Sequence, residues 1–187
     1  WGTPRETPNA YVYNYSFEGE YALPWNLVTT LGYQGSSSHK LIRIVNQNFI
    51  FDDLNEHIFR TLFPTPDVNA SFSALNARVS RRFAQGYQFS FQYRYSKSID
   101  QLSSEGPGRV TNQTFPRDQR TERGPSDYDA THFVVFSGLW DLPILRNRSD
   151  WVGKAFGGWQ INGFFTFHSG FPWTPVLVDA FGAYDAD

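Results

Sequence analysis

The sequence contains no cysteine and no methionine among its 187 residues. Without cysteine, neither a disulfide scaffold nor a thiolate metal site is possible. Without methionine even at position 1, the chain is expected to be a mature protein or, more simply, a fragment of a longer one.

Charged residues and long apolar runs are also scarce. Charged residues make up 18% of the chain, and the net charge is -2. This balance gives no electrostatic basis for binding nucleic acid. The sequence has no run of about 18 apolar residues that would predict a transmembrane helix. It also has no basic segment followed by an apolar one, so no signal peptide is expected.

Aromatic residues, in contrast, are abundant at 18%. They favour strands and exclude a disordered chain. Apolar and polar residues also alternate with a period of two, most regularly in residues 11–23 and 87–96. Alternate side chains of a strand point to opposite faces of the sheet. The pattern predicts an all-β protein, an antiparallel up-and-down meander of about six long strands. These strands are predicted over residues 11–23, 27–35, 70–83, 87–97, 131–141 and 158–168.

The predicted connections alternate in length. Short turns are expected at Pro24–Asn26 and Ala84–Gly86, and long outer loops at about 36–69, 98–130 and 169–187. Short turns on one side, long loops on the other and strands of about 9–11 residues or more are typical of transmembrane β-barrels. The chain is therefore interpreted as a partial barrel domain over residues 1–187. Trp25, Trp140 and Trp159 are expected near the short-turn ends, and Tyr33 and Tyr95 near the long-loop ends.

The two faces of such strands would meet different surroundings. The apolar face would contact lipid, and the polar face would line a wet lumen. The lipid-facing aromatic stripe is predicted to contain Tyr11, Tyr13, Tyr15, Phe17, Tyr87, Phe89, Phe91, Tyr93, Tyr95, Trp159, Phe165 and Phe167. The lumen-lining ligand candidates are Glu18, Glu20, Arg78, Arg82, Arg94 and His168.

Two other interpretations of the alternation stay open. In a soluble, secreted β-sandwich the apolar face would be the core, and the protein could bind glycans. In a structural protein, the strands could assemble edge to edge into a larger object.

The loops offer weaker candidates. Arg117, Arg120 and Arg123 could hold phosphate groups of lipopolysaccharide or another anionic ligand. Residues 52–56 contain acidic and amide side chains that could gather around Ca²⁺, but their spacing misses the EF-hand pattern. The four histidines are scattered, with no pair at metal-binding spacing. We therefore expect no enzyme activity, no metal site and no cofactor.

Several motifs resemble TonB-dependent outer-membrane receptors of the Oar-like branch. Residues 93–100 read YRYSKSID, close to the YTWSKSID strand end of that family. Further matches follow the family's order: ALN at 74–76, RRF at 81–83, GPSDYD at 124–129, GGWQING at 157–163 and SGFPWTP at 169–175. The family's D-x-RH strand start is DATH here, at 129–132, and lacks the arginine.

The resemblance implies a barrel of about 22 strands with an N-terminal plug, which imports a scarce nutrient with energy from TonB. Its implied partners are outer-membrane lipid and lipopolysaccharide, the remainder of the barrel, the plug, and TonB through that plug. Its implied location is the outer membrane of a Gram-negative, acidobacterial cell. Six strands cannot close a lipid-spanning barrel, because the smallest has about eight.

Overall fold

The computed structural model describes residues 7–46, 62–103, 120–144 and 150–173. The described chain is almost entirely β-structure, with a single short helix. In chain order the elements are β1 (Tyr11–Leu23), β2 (Leu27–Asn46), β3 (Leu62–Ala84), β4 (Tyr87–Asp100), β5 (Gly124–Pro125), β6 (His132–Asp141), α1 (Trp151–Phe156) and β7 (Gln160–His168).

The long strands form one antiparallel sheet. Their order is β1-β2-β3-β4-β6-β7, and the two-residue β5 pairs with the end of β4. Each long strand thus pairs with the long strands next to it in sequence, which confirms the predicted all-β antiparallel meander. Within the described ranges, nothing pairs with the outer edge of β1 or of β7, so this sheet is open.

The two short turns have the geometry that tight hairpins require. Trp25 and Asn26 have φ angles of 64° and 61°, and Gln85 and Gly86 have 57° and 86°. A type I′ turn needs positive φ at both central residues, because its twist then matches that of the strands. A backbone bond of 3.1 Å from the Arg82 N–H to the Asn26 carbonyl joins the first turn to the second hairpin.

Both turns therefore lie on one edge of the sheet, as predicted. The same edge contains the end of β6 and the start of β7, since the Asp141 N–H donates to the Gly86 carbonyl at 2.6 Å. The Leu142 N–H donates to the Trp159 carbonyl at 2.9 Å. We call this edge, residues 24–26, 84–86, 141–142 and 159–160, the short-turn rim.

The strand ends differ from the predicted ones. β2 continues to Asn46 and β3 begins at Leu62, so much of the predicted loop 36–69 is strand. The ladder bonds are made by the backbone, so they continue where apolar alternation stops. The register shifts between Ser38 and Leu41, and Lys40 has a φ of 57°, which marks a β-bulge.

Beyond the bulge, β2 and β3 pair only with each other. β1 begins opposite His39, and β4 ends opposite Ala70. We call these paired segments, residues 41–46 and 62–68, the projecting hairpin. Both of its strands are therefore edge strands, where proline is tolerated because its missing N–H leaves no ladder bond unmade. This explains why Pro64 and Pro66 lie within β3 rather than in a loop.

The remaining differences are smaller. β4 ends at Asp100 rather than 97, β6 begins at His132 rather than 131, and β7 begins at Gln160 rather than 158. Before β7, α1 makes little more than one turn, and the Asp150 side chain caps it by accepting from the Gly153 N–H at 3.1 Å. Such a short helix is invisible to hydrophobic periodicity. No helix in the described ranges is long and apolar enough to cross a membrane.

The strand register sorts the side chains into two faces, because directly paired residues share a face. One face, which we call the aromatic face, carries the odd positions of β1, β4 and β7 and the even positions of β6. The predicted aromatic stripe lies on this face within the strands, and Trp159 directly precedes β7. The other face, which we call the polar face, carries Glu18, Glu20, Arg78, Arg94 and His168.

The aromatic face has no second layer of protein over it. The fully buried hydrophobic residues of the described chain are Val45, Val68 and Ala74, while Phe17, for example, is 77% exposed. A β-sandwich would bury its apolar face between two sheets. The single described sheet does not have that architecture.

Candidate functional site

The polar face brings distant charged residues into two adjacent rows that run across the strands. In one row, Glu20 of β1 pairs with Thr30 of β2, which pairs with Arg78 of β3. In the next row, the order is Glu18, Gly32, Asn76, Arg94, Phe133 and His168, from β1 to β7. Five of the six lumen candidates predicted from sequence thus lie in these two rows.

The sixth candidate, Arg82, lies apart from them. It falls at the short-turn rim, where the β3–β4 register shifts between Arg81 and Ala84. Its backbone N–H is bonded to the Asn26 carbonyl there. That these residues line a lumen stays a prediction.

Opposite charges are separated on this surface. Neighbouring strands lie about 4.8 Å apart, so the backbones at Glu20 and Arg78 are separated by about 10 Å. Arg43 forms an ion pair with Asp67, at 2.6 Å in the projecting hairpin. Across the described strands, neither Glu18 nor Glu20 forms an ion pair with an arginine of the rows.

The floor between the charges is low because β2 contributes only small residues to it. Gly32 has no side chain, and the Cγ of Glu18 lies 3.5 Å from the position that a Cβ of Gly32 would take. Glu18 therefore packs directly beside Gly32. Thr30 is 6% exposed. We call Glu18, Glu20, Thr30, Gly32, Arg78 and Arg94 the charge trough.

Two buried polar atoms of the trough lack hydrogen-bond partners. They are the Oγ1 of Thr30 and the Nε of Arg94. The guanidinium of Arg94 lies over the ring of Phe133, 4.7 Å from its centroid, a cation–π contact that holds it against β6. Sequence reasoning missed Thr30, Gly32 and Asn76, because nothing in the local pattern distinguishes them from other strand residues.

The next row of the polar face adjoins a shallow cavity of about 540 Å³. Its lining on this face consists mainly of small hydroxyl and amide side chains, with Phe164 at one side. The polar residues are Ser80, Gln88, Ser90, Ser137 and Asn162. The charge trough is therefore continued toward the short-turn rim by uncharged hydrogen-bonding groups.

Two of the sequence motifs meet at the opposite edge of the sheet. The Ser98 N–H donates to the carboxylate of Asp129 at 2.8 Å, and the Ser126 N–H donates to the Ser98 carbonyl at 3.0 Å. The Ser96 hydroxyl donates to the Ala130 carbonyl at 2.9 Å. These bonds fasten residues 124–130 to the end of β4 and give the motifs a structural role.

The loop candidates are mostly outside the described residues. Arg117 and residues 52–56 lie there, whereas Arg120 and Arg123 lie in a turn before β5, with the Arg123 N–H donating to the Arg120 carbonyl at 3.4 Å. Among the residues that the structure describes, no three histidine or carboxylate side chains gather as a metal site would require.

Comparison with known proteins gives one match. A family model described as an outer membrane beta barrel domain matches residues 1–183. No curated protein and no solved structure matches the chain.

Proposed function

Because this chain belongs to the outer membrane beta barrel domain family, we propose that its sheet is a section of a barrel wall that takes up a solute across the outer membrane. The aromatic face contacts lipid and the polar face lines the wet lumen. The strands of such a barrel alternate apolar-out and polar-in, with aromatic girdles at both membrane interfaces.

One observation carries the proposal. The two faces have opposite character in β1 and β4, and the polar face groups unpaired carboxylates and guanidinium groups in adjacent rows. Charges on a wet inner wall are solvated, and they can select a solute that passes along it.

The sequence motifs support a more specific proposal, uptake driven by TonB through a plug. They follow the order of the Oar-like receptors along the chain. In this proposal the sheet works together with the remaining strands of the barrel, with a plug, and with TonB of the Gram-negative cell. The long loops, which lie among lipopolysaccharide, capture the solute. The class of nutrient would be a siderophore, an oligosaccharide or a peptide.

Single cysteines in an otherwise cysteine-free protein allow a direct test of the two faces, since these 187 residues contain none. Phe91 and Gln92 are neighbours in β4 whose side chains point to opposite faces. In the full-length protein in membranes, a charged maleimide should label Gln92→Cys and leave Phe91→Cys unlabelled. Equal labelling at both positions would contradict the assignment of lipid and lumen.

Transport itself needs a second measurement. Cells expressing the protein, with and without TonB, are supplied with labelled siderophores, oligosaccharides and peptides. We expect one class to accumulate only when both the protein and TonB are present. Accumulation of none of them, or accumulation that does not depend on TonB, would overturn the proposed uptake.

A further inference from the structure

The charge trough has a polarity that few solutes match. Its carboxylates both belong to β1, and its guanidinium groups belong to β3 and β4. No described side chain of opposite charge neutralises either end. A ligand that satisfies both ends must therefore carry a cation at one end and an anion at the other.

The separation of the two ends sets the length of that ligand. The backbones of β1 and β3 are about 10 Å apart, and those of β1 and β4 about 14 Å. The guanidinium of Arg94 is held farther away still, over Phe133 of β6, so Arg78 sets the distance that a ligand must span from the carboxylates. A free amino acid, whose two charges share one carbon, is too short to meet both ends. An extended chain of two or three residues spans about 7–10 Å.

The floor also fits a peptide. Gly32 leaves space between the charges, and the buried Oγ1 of Thr30 on the same strand is without a hydrogen-bond partner. A buried polar atom without a partner is costly. The N–H and C=O groups of a peptide lying across β2 would supply such a partner. An alkyl chain of the same length with the same two charged ends would not.

From this geometry we infer that the charge trough binds short peptides of two or three residues with free termini. The ammonium terminus lies at Glu18 and Glu20, and the carboxylate terminus lies at Arg78, where bidentate bonds to a carboxylate are possible. The inference rests on the proposed function, since it names the substrate class of the same polar face.

The test uses one peptide in three forms. Calorimetry with the full-length protein in detergent compares trialanine, N-acetyl-trialanine and trialanine amide. Blocking either terminus removes one charge-assisted contact, so each blocked form should bind about tenfold more weakly or worse. Failure of trialanine to bind, or equal binding of all three forms, would overturn the inference.

Paired variants then assign each end. Glu18→Gln with Glu20→Gln should abolish the penalty for acetylation and keep the penalty for amidation. Arg78→Gln should do the reverse. The retained discrimination at the other terminus demonstrates that each variant is folded. Loss of both discriminations in both variants would mean that the trough does not orient the peptide, and would overturn the assignment.

Lys154→Gln is the control, because Lys154 is a cation in the last turn of α1, outside the trough. It should leave all three affinities unchanged. If the cell experiment gives TonB-dependent uptake of an oligosaccharide or a siderophore but not of peptides, the peptide inference fails while the proposed transport function stands.

Discussion

Arg81 is the residue that most plainly breaks the apolar pattern, since its register places it on the aromatic face at the short-turn rim. Its charge is nevertheless shielded, because the side chain is buried and its guanidinium carbon lies 3.5 Å from the ring centroid of Tyr87. Its Nε donates to the Trp25 carbonyl at 3.1 Å and its Nη2 to the Gln85 side chain at 3.2 Å. Arg81 thus ties the two tight turns together.

Replacing Arg81 should destabilise the sheet. Arg81→Leu leaves the Trp25 carbonyl without its donor and removes the cation–π contact, so the free energy of unfolding should fall by about 1–3 kcal/mol. Urea unfolding of the full-length protein in lipid vesicles measures this. Arg82→Leu, at the adjacent position, lacks these contacts and serves as the control. If the free energy of unfolding falls no more for Arg81→Leu than for the control, the contacts of Arg81 with the two turns contribute nothing to stability.

Gly35 is the second residue whose identity the packing explains. It pairs directly with Tyr15, whose ring atoms lie 2.5 Å from the position of a Cβ on Gly35. The ring also stacks on Tyr33, with centroids 6.1 Å apart. A tyrosine that covers a glycine across a strand pair occupies the space that a side chain would fill.

We expect Gly35→Val to displace Tyr15 and to lower the free energy of unfolding by about 1–3 kcal/mol, the usual effect of overpacking. Gly19→Val is a matched control on the same strand pair and face, because a Cβ at Gly19 meets nothing within 4 Å. The same unfolding measurement compares them. Equal effects of the two substitutions would contradict the close packing of Tyr15 on Gly35.

At the scale of the element, the aromatic face changes character along β2, β3 and β4. The row containing Tyr33, Leu75 and Tyr95 is apolar, and the next row contains Gly35, Ser73 and Lys97. On β2, β3 and β4, Tyr33 and Tyr95 therefore mark the limit of the apolar band on the side away from the short-turn rim, although these strands continue past it; on β1 the band continues to Tyr11. Trp25, Trp140 and Trp159 lie at the opposite limit, on or beside the short-turn rim.

The middle of this band should be the position most sensitive to charge. Phe91→Arg places a guanidinium at the centre of β4 on the aromatic face, which the proposed barrel turns toward lipid, and should cost about 2–4 kcal/mol of stability. Gln92→Arg places it on the polar face and should cost much less. Refolding stability of both variants in the full-length protein measures the difference. A larger loss of stability for Gln92→Arg than for Phe91→Arg would show that the two faces are assigned the wrong way round.

The sequence predicted the faces because alternation is local: the odd and even residues of β4 differ at every step. It could not predict how far β2 and β3 extend, since Ser36, Ser37 and Ser38 have no apolar alternation and pair through the backbone. β6 is apolar on both sides, and only its register with β4 assigns Phe136 to the aromatic face and Phe133 to the polar face.

Only the charged members of the charge trough could be predicted from the sequence, for a related reason. Its charged members stand out in the sequence as polar residues in alternating strands. That Thr30 and Gly32 lie between them depends on the pairing of β1, β2 and β3, which joins residues far apart in the chain. Register over such distances leaves no local signal.

At the scale of the whole molecule, the described sheet has two unpaired edges, β1 and β7. Unpaired backbone groups cannot be exposed to lipid, since each costs several kcal/mol there. An exposed strand edge also pairs readily with another chain. The edges must therefore be covered in a membrane.

We expect the 187-residue chain alone to associate through these edges when it is refolded in detergent. Light scattering after size-exclusion chromatography should give a mass above that of one chain, whereas the full-length protein should be monodisperse. A stable monomer of the 187-residue chain would mean that its edges are covered in some way that the described residues do not include.

The meander order also determines how the wall can assemble. Because each long strand pairs with its neighbours in the chain, its contacts are local for a β-protein, and local pairing is fast. The β1–β2 and β3–β4 hairpins, closed by their two-residue turns, can form within about 1–10 μs. The slow step is then the movement of the other strand ends, those away from the short-turn rim, across the bilayer. The projecting hairpin must cross together with its Arg43–Asp67 ion pair, so translocation rather than strand pairing should limit the rate of insertion.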